Sequence, residues 1–303
     1  MNKLVTVFTP LYNRKDLLLR LYESLRTQTC TDFEWIICDD CSSDGSFELA
    51  RELEGKETGF PIRVIRTECN GGKHRAINRG TAIAEGFLFF IVDSDDALTP
   101  DAIEKIFAWE KGIGEEKGFA GLAFLKGDLS GNRVGTSFRE TFCDCTTLER
   151  EANNIRGDKA EVYYTEVIRQ YPFPEFPGEK FLTEAVVWDV IARDGLKLRW
   201  INEIIYLCEY QQEGLSANWD KNLAKNPEGY ALWIKQKMNF RPYTGYARFE
   251  MVYGYYYTVN LVSPRSMKYA CGKLDYPVAL AYLYMPVRKA KRIWGRLTGR
   301  IPK

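Results

Sequence analysis

Along the first 125 residues, short apolar runs alternate with segments whose apolar residues recur every three or four positions. Residues 4–9 form a β-branched run that Pro10 is expected to end. Leu17, Leu18, Leu21, Tyr22 and Leu25 then share one face of a helix that Asn13 can cap. Residues 35–38 have the composition of a buried strand, followed by a helix carrying Phe47, Leu49, Ala50 and Leu53. Residues 62–66 predict a third strand, and Ala76, Ile77, Gly80 and Ile83 mark the helix after it. Residues 87–92 predict a fourth strand. Thr99-Pro100-Asp101 then starts a helix with proline in its first turn, and Gly112 can end it. Residues 121–125 predict a fifth strand. Repeated β-α units of this kind predict an α/β fold, a doubly wound, mostly parallel sheet with flanking helices.

The pattern weakens beyond residue 130. Residues 157–178 read as a helix followed by a Pro-rich loop. Residues 183–195 predict a helix with Thr183 near its start and Gly195 at its end. Residues 198–200 and 204–210 read as short strands. From about residue 215 the chain is rich in Tyr, Trp and Lys without strand periodicity, which predicts a mainly helical extension. The expected organisation is an α/β domain over residues 1–215, in halves 1–125 and 126–215, and a helical, basic extension over 216–303.

Composition narrows the class. The 303 residues are 45% apolar and 27% charged with a net charge of +1, which describes a globular protein and argues against bulk nucleic-acid binding. The charge is uneven, because residues 277–303 hold seven Lys or Arg and no acid. That basic end joins an apolar, Tyr-bearing stretch, and such a segment can lie on an anionic membrane, each cation adding about 1 kcal/mol. The alternative is a helix docked on the protein with its cations solvated. No run approaches the roughly 18 apolar residues of a spanning helix, and the N-terminus lacks a small-residue cleavage site. The expected location is therefore the cytoplasm, or the inner face of a membrane. Among the eight cysteines, Cys38 and Cys41 flank Asp39-Asp40 in a C-x-x-C, and Cys143 and Cys145 form a C-x-C. Acidic filling raises thiol pKa values and the single histidine, His74, lies elsewhere, so reduced structural cysteines are expected rather than zinc ligands or a disulfide.

Each of the first four predicted strands is followed by a polar cluster, and in open α/β sheets ligands gather at the carboxyl ends of strands. In "FFIVDSDD" the fourth strand ends in Asp93, Asp95 and Asp96, with the small Ser94 between the first two. A D-x-D there suits a hard cation such as Mn²⁺ or Mg²⁺, which in turn grips a diphosphate; its bland alternative is a solvated turn and helix cap. Asp39 and Asp40 end another strand, where a carboxylate can accept from the N–H edge of a base, or simply organise the turn. Asn70-Gly71-Gly72 lets backbone approach a phosphate, with Lys73 as a point charge. No P-loop and no G-x-G-x-x-G is present.

Taken in order, "TPLYNR", "CDDCSSDGS", "NGGKHRAINRG" and "FFIVDSDDALTPD" resemble the signature of inverting family-two glycosyltransferases of the GT-A fold. The likeness spans about residues 4–125 and continues loosely to about residue 216. The resemblance implies that 1–125 is the nucleotide-sugar half and 126–215 the acceptor half. It implies that Pro10, Tyr12, Asp39 and Asp40 hold base and ribose, and that Lys73 and Asn78 lie along the nucleotide and diphosphate. Asp93, Ser94 and Asp95 would form the D-x-D, with Asp95 and Asp93 as metal ligands. The family places a Glu-Asp pair at the head of a later helix, one acid serving as catalytic base. Here that place reads Thr183-Glu184-Ala185, which leaves Glu184 as the candidate and Asp189 in reserve, a solvated helix-surface residue otherwise. The implied reaction moves a sugar from a nucleoside-diphosphate donor, a UDP-sugar, to a hydroxyl of a saccharide or lipid-linked acceptor in surface-polysaccharide synthesis. The rival readings are a metal-dependent nucleotidyltransferase and a non-catalytic nucleotide-sugar binding module.

Overall fold

Four parallel strands carry the N-terminal half: β1 (Val5–Leu11) lies between β2 (Phe33–Asp39) and β4 (Leu88–Ile91), and β3 (Ile62–Arg66) adds to β2. The computed structural model describes residues 4–114, 116–138, 140–209 and 218–297. All seven residues of β2 are buried, as expected for a parallel strand covered on both faces. The covering helices are α1 (Lys15–Arg26), α2 (Ser46–Glu54) and α3 (Lys73–Ile83). Helix α1 buries Leu18, Leu21, Tyr22 and Leu25 against the sheet, each contributing about 1.5–3 kcal/mol of transfer free energy.

Two local expectations change. Pro10 does not end β1, which runs on to Leu11. The Leu11 carbonyl faces β2, accepting from Asp40 N, and the Phe8 carbonyl faces β4, accepting from Val92 N. By alternation Pro10 faces the β4 side beyond the last bond to that strand, so its missing N–H breaks nothing. Asn13 is not the cap of α1, a place taken by Arg14. It adopts φ 49° and ties to the next loop, donating its N–H to Ser42 Oγ and accepting from Ser43 N.

Further along come β5 (Ala97–Leu98), α4 (Ala102–Ile113), β6 (Phe119–Gly127), β7 (Arg133–Val134), β8 (Phe142–Cys145), β9 (Lys159–Tyr164), α5 (Thr165–Ile168), α6 (Ala185–Arg193) and β10 (Lys197–Leu207). Helix α4 runs past Gly112 and stops at Gly114. The mixed sheet has the order β3-β2-β1-β4-β9-β6-β10-β5, with β7 on β6 and β8 on β10. Strand β9, antiparallel to both β4 and β6, forms where a helix was expected. The two short strands expected near residue 200 are one, β10, with register shifts around Trp200 and Ile204. Residue 210, the expected end of that strand, and the expected domain boundary at 215–216 lie outside the described residues.

The sheet and its helices form one unit, together with the body of α6 from Val187 on. A second unit takes in Phe181–Val186 and five helices, α7 (Trp219–Lys225), α8 (Pro227–Phe240), α9 (Gly245–Val259), α10 (Met267–Lys273) and α11 (Val278–Leu297). Its core is built on Tyr230, Ile234, Phe249, Tyr255, Cys271 and Ala281. Among the described residues no helix is long and apolar enough to cross a membrane.

Candidate active site

The carboxyl ends of β1, β2 and β4 converge on one edge of the sheet, and the polar clusters follow them there. Asp39 and Asp40 are fully buried there, at 0% and 3% exposure, with different partners. Asp40 accepts from the Thr67 hydroxyl and from the Gly71 and Gly72 amides, the last at 2.6 Å. Those bonds bend the Gly-Gly turn into place ahead of α3. Gly72 sits at φ 93°, and a Cβ there would come within 1.8 Å of the Lys180 carbonyl oxygen, so only glycine fits. Asp39 uses Oδ2 alone, accepting from Ser42 N at 3.1 Å and facing Arg66 Nε at 3.2 Å. Its Oδ1 is buried with no hydrogen-bond partner. Native proteins rarely leave a buried carboxylate oxygen unpaired, and this sets Asp39 apart from the fully partnered Asp40.

At the end of β4 the three aspartates are separated by their partners. Asp93 Oδ1 lies 2.7 Å from Lys73 Nζ. Burial would raise its pKa, but the Lys73 and Lys126 ammoniums outweigh it and hold Asp93 below the usual carboxylate range. Asp95 is raised, first by burial and then by the Asp93 charge, against the opposing Arg14, whose Nε is 3.5 Å from Oδ2. Asp96 is pushed up to about 7 by burial and then by Asp93, although the Tyr206 hydroxyl donates to its Oδ2 at 2.6 Å. The same hydroxyl accepts from Asp93 N at 3.0 Å, so Tyr206 on β10 clips the acidic turn to the sheet. Lys126 Nζ sits 4.2 Å over the Tyr206 ring, and the charges of Asp93, Asp158 and Glu161 overcome its burial and raise its pKa.

The sheet edge thus brings together Pro10, exposed Tyr12, Asp39, Asp40, Lys73, Asp93, buried Ser94 and Asp95. Asn78 is not among them. Its amide exchanges hydrogen bonds with both backbone groups of Phe173 and donates to Glu175, so it anchors the Pro-rich loop rather than lining the edge. Arg14, Lys126 and Tyr206 complete the cluster and were not singled out from the sequence. Arg14 stands inside the "TPLYNR" motif; Lys126 and Tyr206 had no local signal, because the sheet brings them in from distant strands.

Glu184 is the half-buried residue just before α6, in the segment that groups with the second unit. Thr183 Oγ1 accepts from Ala185 N, organising that helix start. Asp189 does not lie on a solvated helix surface as its alternative role required. It is 5% exposed, and its charge contributes to raising the Tyr163 pKa. Trp188 beside it stacks on the Tyr163 ring, so this face of α6 turns toward the sheet.

Among the described residues no three His, Cys, Asp or Glu side chains converge as a ready-made metal site. The donor set still fits a hard divalent ion, since one or two carboxylates completed by diphosphate oxygens and water is the usual arrangement for Mg²⁺. Asp95 and Asp93 are the two that would hold it.

Residues 6–112 match the family model for glycosyl transferase family 2. Chondroitin synthase of Pasteurella multocida is 37% identical over 101 residues, 33% of this chain and 10% of that protein. Poly(ribitol-phosphate) beta-glucosyltransferase of Bacillus spizizenii is 31% identical over 148 residues, 48% of this chain and 23% of that protein. The chain thus spans less than a quarter of either relative. Among solved structures, Staphylococcus aureus TarS 1-349 in complex with UDP-GlcNAc superposes with a TM-score of 0.60 at 17% identity, covering 93% of this chain and 91% of that one. Residues 6–112 thus match the family-two glycosyltransferases, and the likeness to TarS gives the chain the GT-A fold.

Proposed function

We propose that this domain transfers a sugar from a UDP-sugar to a hydroxyl of a saccharide or lipid-linked saccharide, with inversion, in surface-polysaccharide synthesis. The observation that carries the reading is the gathering of Asp39, Lys73, Asp93 and Asp95 at the sheet edge within the segment that matches the family model, with Asp39 as the proposed acceptor for the N–H of a uracil base. The names of the relatives support the class of product, and the TarS complex supports the class of donor. Pro10 and Tyr12 flank the base, and Lys73 supplies a point charge to the diphosphate. A Mn²⁺ or Mg²⁺ ion held by Asp95 and Asp93 would offset the negative charge that develops on the departing diphosphate.

Glu184 is the proposed base. The acceptor oxygen forms its bond to the anomeric carbon as the bond to the diphosphate oxygen breaks, and the hydroxyl proton passes to the Glu184 carboxylate. The test is the identity of the released product, with purified protein, a panel of nucleotide sugars and acceptors, and Mn²⁺ added or chelated. UDP released in step with a new glycosidic bond is expected. Pyrophosphate, or a nucleotide joined to the acceptor, would overturn the reading in favour of nucleotidyl transfer. Glu184→Gln should keep UDP binding while turnover falls by about 10²–10⁴; unchanged turnover would remove Glu184 from the role.

We also propose that residues 277–303 lie against an anionic membrane, which would suit a lipid-linked acceptor. Support comes from seven cations without an acid, and from Leu280, Tyr282, Leu283, Val287 and Trp294 exposed on α11.

A further inference from the structure

Both carboxylates that would hold the divalent ion already carry a protein cation. Lys73 Nζ is 2.7 Å from Asp93 Oδ1, and Arg14 Nε is 3.5 Å from Asp95 Oδ2. The Arg14–Asp95 pair is about three-quarters buried, with side chains 28% and 21% exposed. Arg14 is anchored on either side of its own side chain: its backbone amide donates to Ser46 Oγ at 2.9 Å, and Nη1 donates to the Asn13 carbonyl at 3.0 Å. A second cation, Arg20, donates from Nη1 to the Asp95 carbonyl at 3.3 Å but is neutralised by Glu209. Arg14 is therefore the counter-ion of the Asp95 carboxylate.

A divalent ion and a guanidinium repel each other and compete for the same carboxylate lone pairs. If the ion arrives alone, it meets the Arg14 charge across the same carboxylate, with no anion to draw the guanidinium away from Oδ2. If a diphosphate arrives too, Arg14 gains a planar, charge-assisted partner of higher negative charge than the one it gives up. We propose that Arg14 is a counter-ion gate on Asp95: divalent ion and nucleoside diphosphate enter together, the ion taking Asp95 while the guanidinium moves onto the diphosphate. The inference rests on the donor reading above. Linkage makes the coupling reciprocal, so each ligand must tighten the other by the same factor.

The test reads binding, not turnover. Mn²⁺ affinity is measured from the free-ion EPR signal and UDP affinity by calorimetry, each with and without the other ligand. For the unaltered protein, UDP is expected to tighten Mn²⁺ binding by about 10- to 100-fold, with the same factor in reverse. Arg14→Met should tighten nucleotide-free Mn²⁺ binding by about three- to tenfold and shrink the coupling by a comparable factor. Arg14→Lys keeps the charge but loses the planar fork, and should fall between the two, which preserves the test should the Met variant misfold. Nucleotide-free Mn²⁺ affinity unchanged in both variants, with UDP coupling intact, would overturn the gate alone. No Mn²⁺ binding by the unaltered protein even at saturating UDP would overturn the donor reading and the gate together.

Discussion

At the end of β2, Asp40 accepts from the Thr67 hydroxyl and two glycine amides, while Asp39 keeps one buried oxygen without a donor. The two residues are adjacent and chemically identical, so the sequence could place both at the edge but not divide their work. That division depends on Thr67, Gly71 and Gly72, which the fold returns to them from about 30 residues away. Asn78 illustrates the same limit: its partners lie 95 and 97 residues on, and no local pattern announces them. Asp96 yields a prediction at this scale. Its pKa rises from 3.8 to about 7 on folding, because burial and the Asp93 charge penalise the anion. The folded state therefore holds a proton that the unfolded chain has released. Stability from this carboxyl is greatest below the unfolded value and is lost as pH rises through about 7. In EDTA without nucleotide, unfolding free energies of the unaltered protein and Asp96→Asn should diverge by roughly 2–4 kcal/mol between about pH 4 and about pH 8, the unaltered protein losing ground. Parallel pH curves would show that Asp96 keeps an ordinary pKa.

Among the elements, the β-α units of the N-terminal half were legible because their signals are local: apolar runs, helical spacing, and the helix start at Thr99-Pro100-Asp101, although α4 ends at Gly114 rather than at Gly112. Strand β9 was not, because "AEVYYTEVI" satisfies either period and only pairing with β4 and β6 decides it. The two-residue β5 is set by β10, more than a hundred residues later, and offers no pattern of its own. The turn between β3 and α3 gives a sharper test, since its conformation matters more than its chemistry. Gly72 has φ 93° and meets the Lys180 carbonyl, whereas Gly131 has φ 81° with nothing within 4 Å of a Cβ. Gly131→Ala should cost about 1–2 kcal/mol from the left-handed backbone alone. Gly72→Ala adds a main-chain clash and should cost about 3 kcal/mol or more. It should also displace the amide that donates to Asp40 and the neighbouring Lys73, lowering UDP affinity. Denaturant melts of both variants, with UDP calorimetry, make the comparison. Equal losses would mean that the turn yields without disturbing the site.

In the whole molecule, the tail is where the sequence left two readings open, a docked helix or a membrane contact. Within the second unit, α11 is docked: Ala281 is fully buried, Tyr284 packs on Tyr246 and Phe249, and Arg288 pairs with Glu250 at 3.2 Å. Two cations are thus not merely solvated, since Arg288 also lies over Tyr253 and Lys291 over Tyr246. These docking contacts fall on one side of the helix. Leu280, Leu283, Val287 and Trp294 recur at helical spacing along another side and are exposed, Leu283 and Trp294 at 64% each. Residues 298–303, the end of the basic run, lie outside the described residues. Deleting the tail is a poor test, because it would uncover Phe249 and Tyr246 and destabilise the unit. Leu283→Glu combined with Val287→Glu places charge on the exposed stripe, where acyl chains would lie, and spares Ala281, Tyr284 and Arg288. The unaltered protein should float with phosphatidylglycerol vesicles and not with phosphatidylcholine ones, the cations supplying about 1 kcal/mol each near the anionic surface. Losing two buried apolar side chains at about 1.5–3 kcal/mol each should weaken binding by at least about tenfold. Flotation of the double variant equal to the unaltered protein, or no flotation of either, would leave the stripe to some other surface.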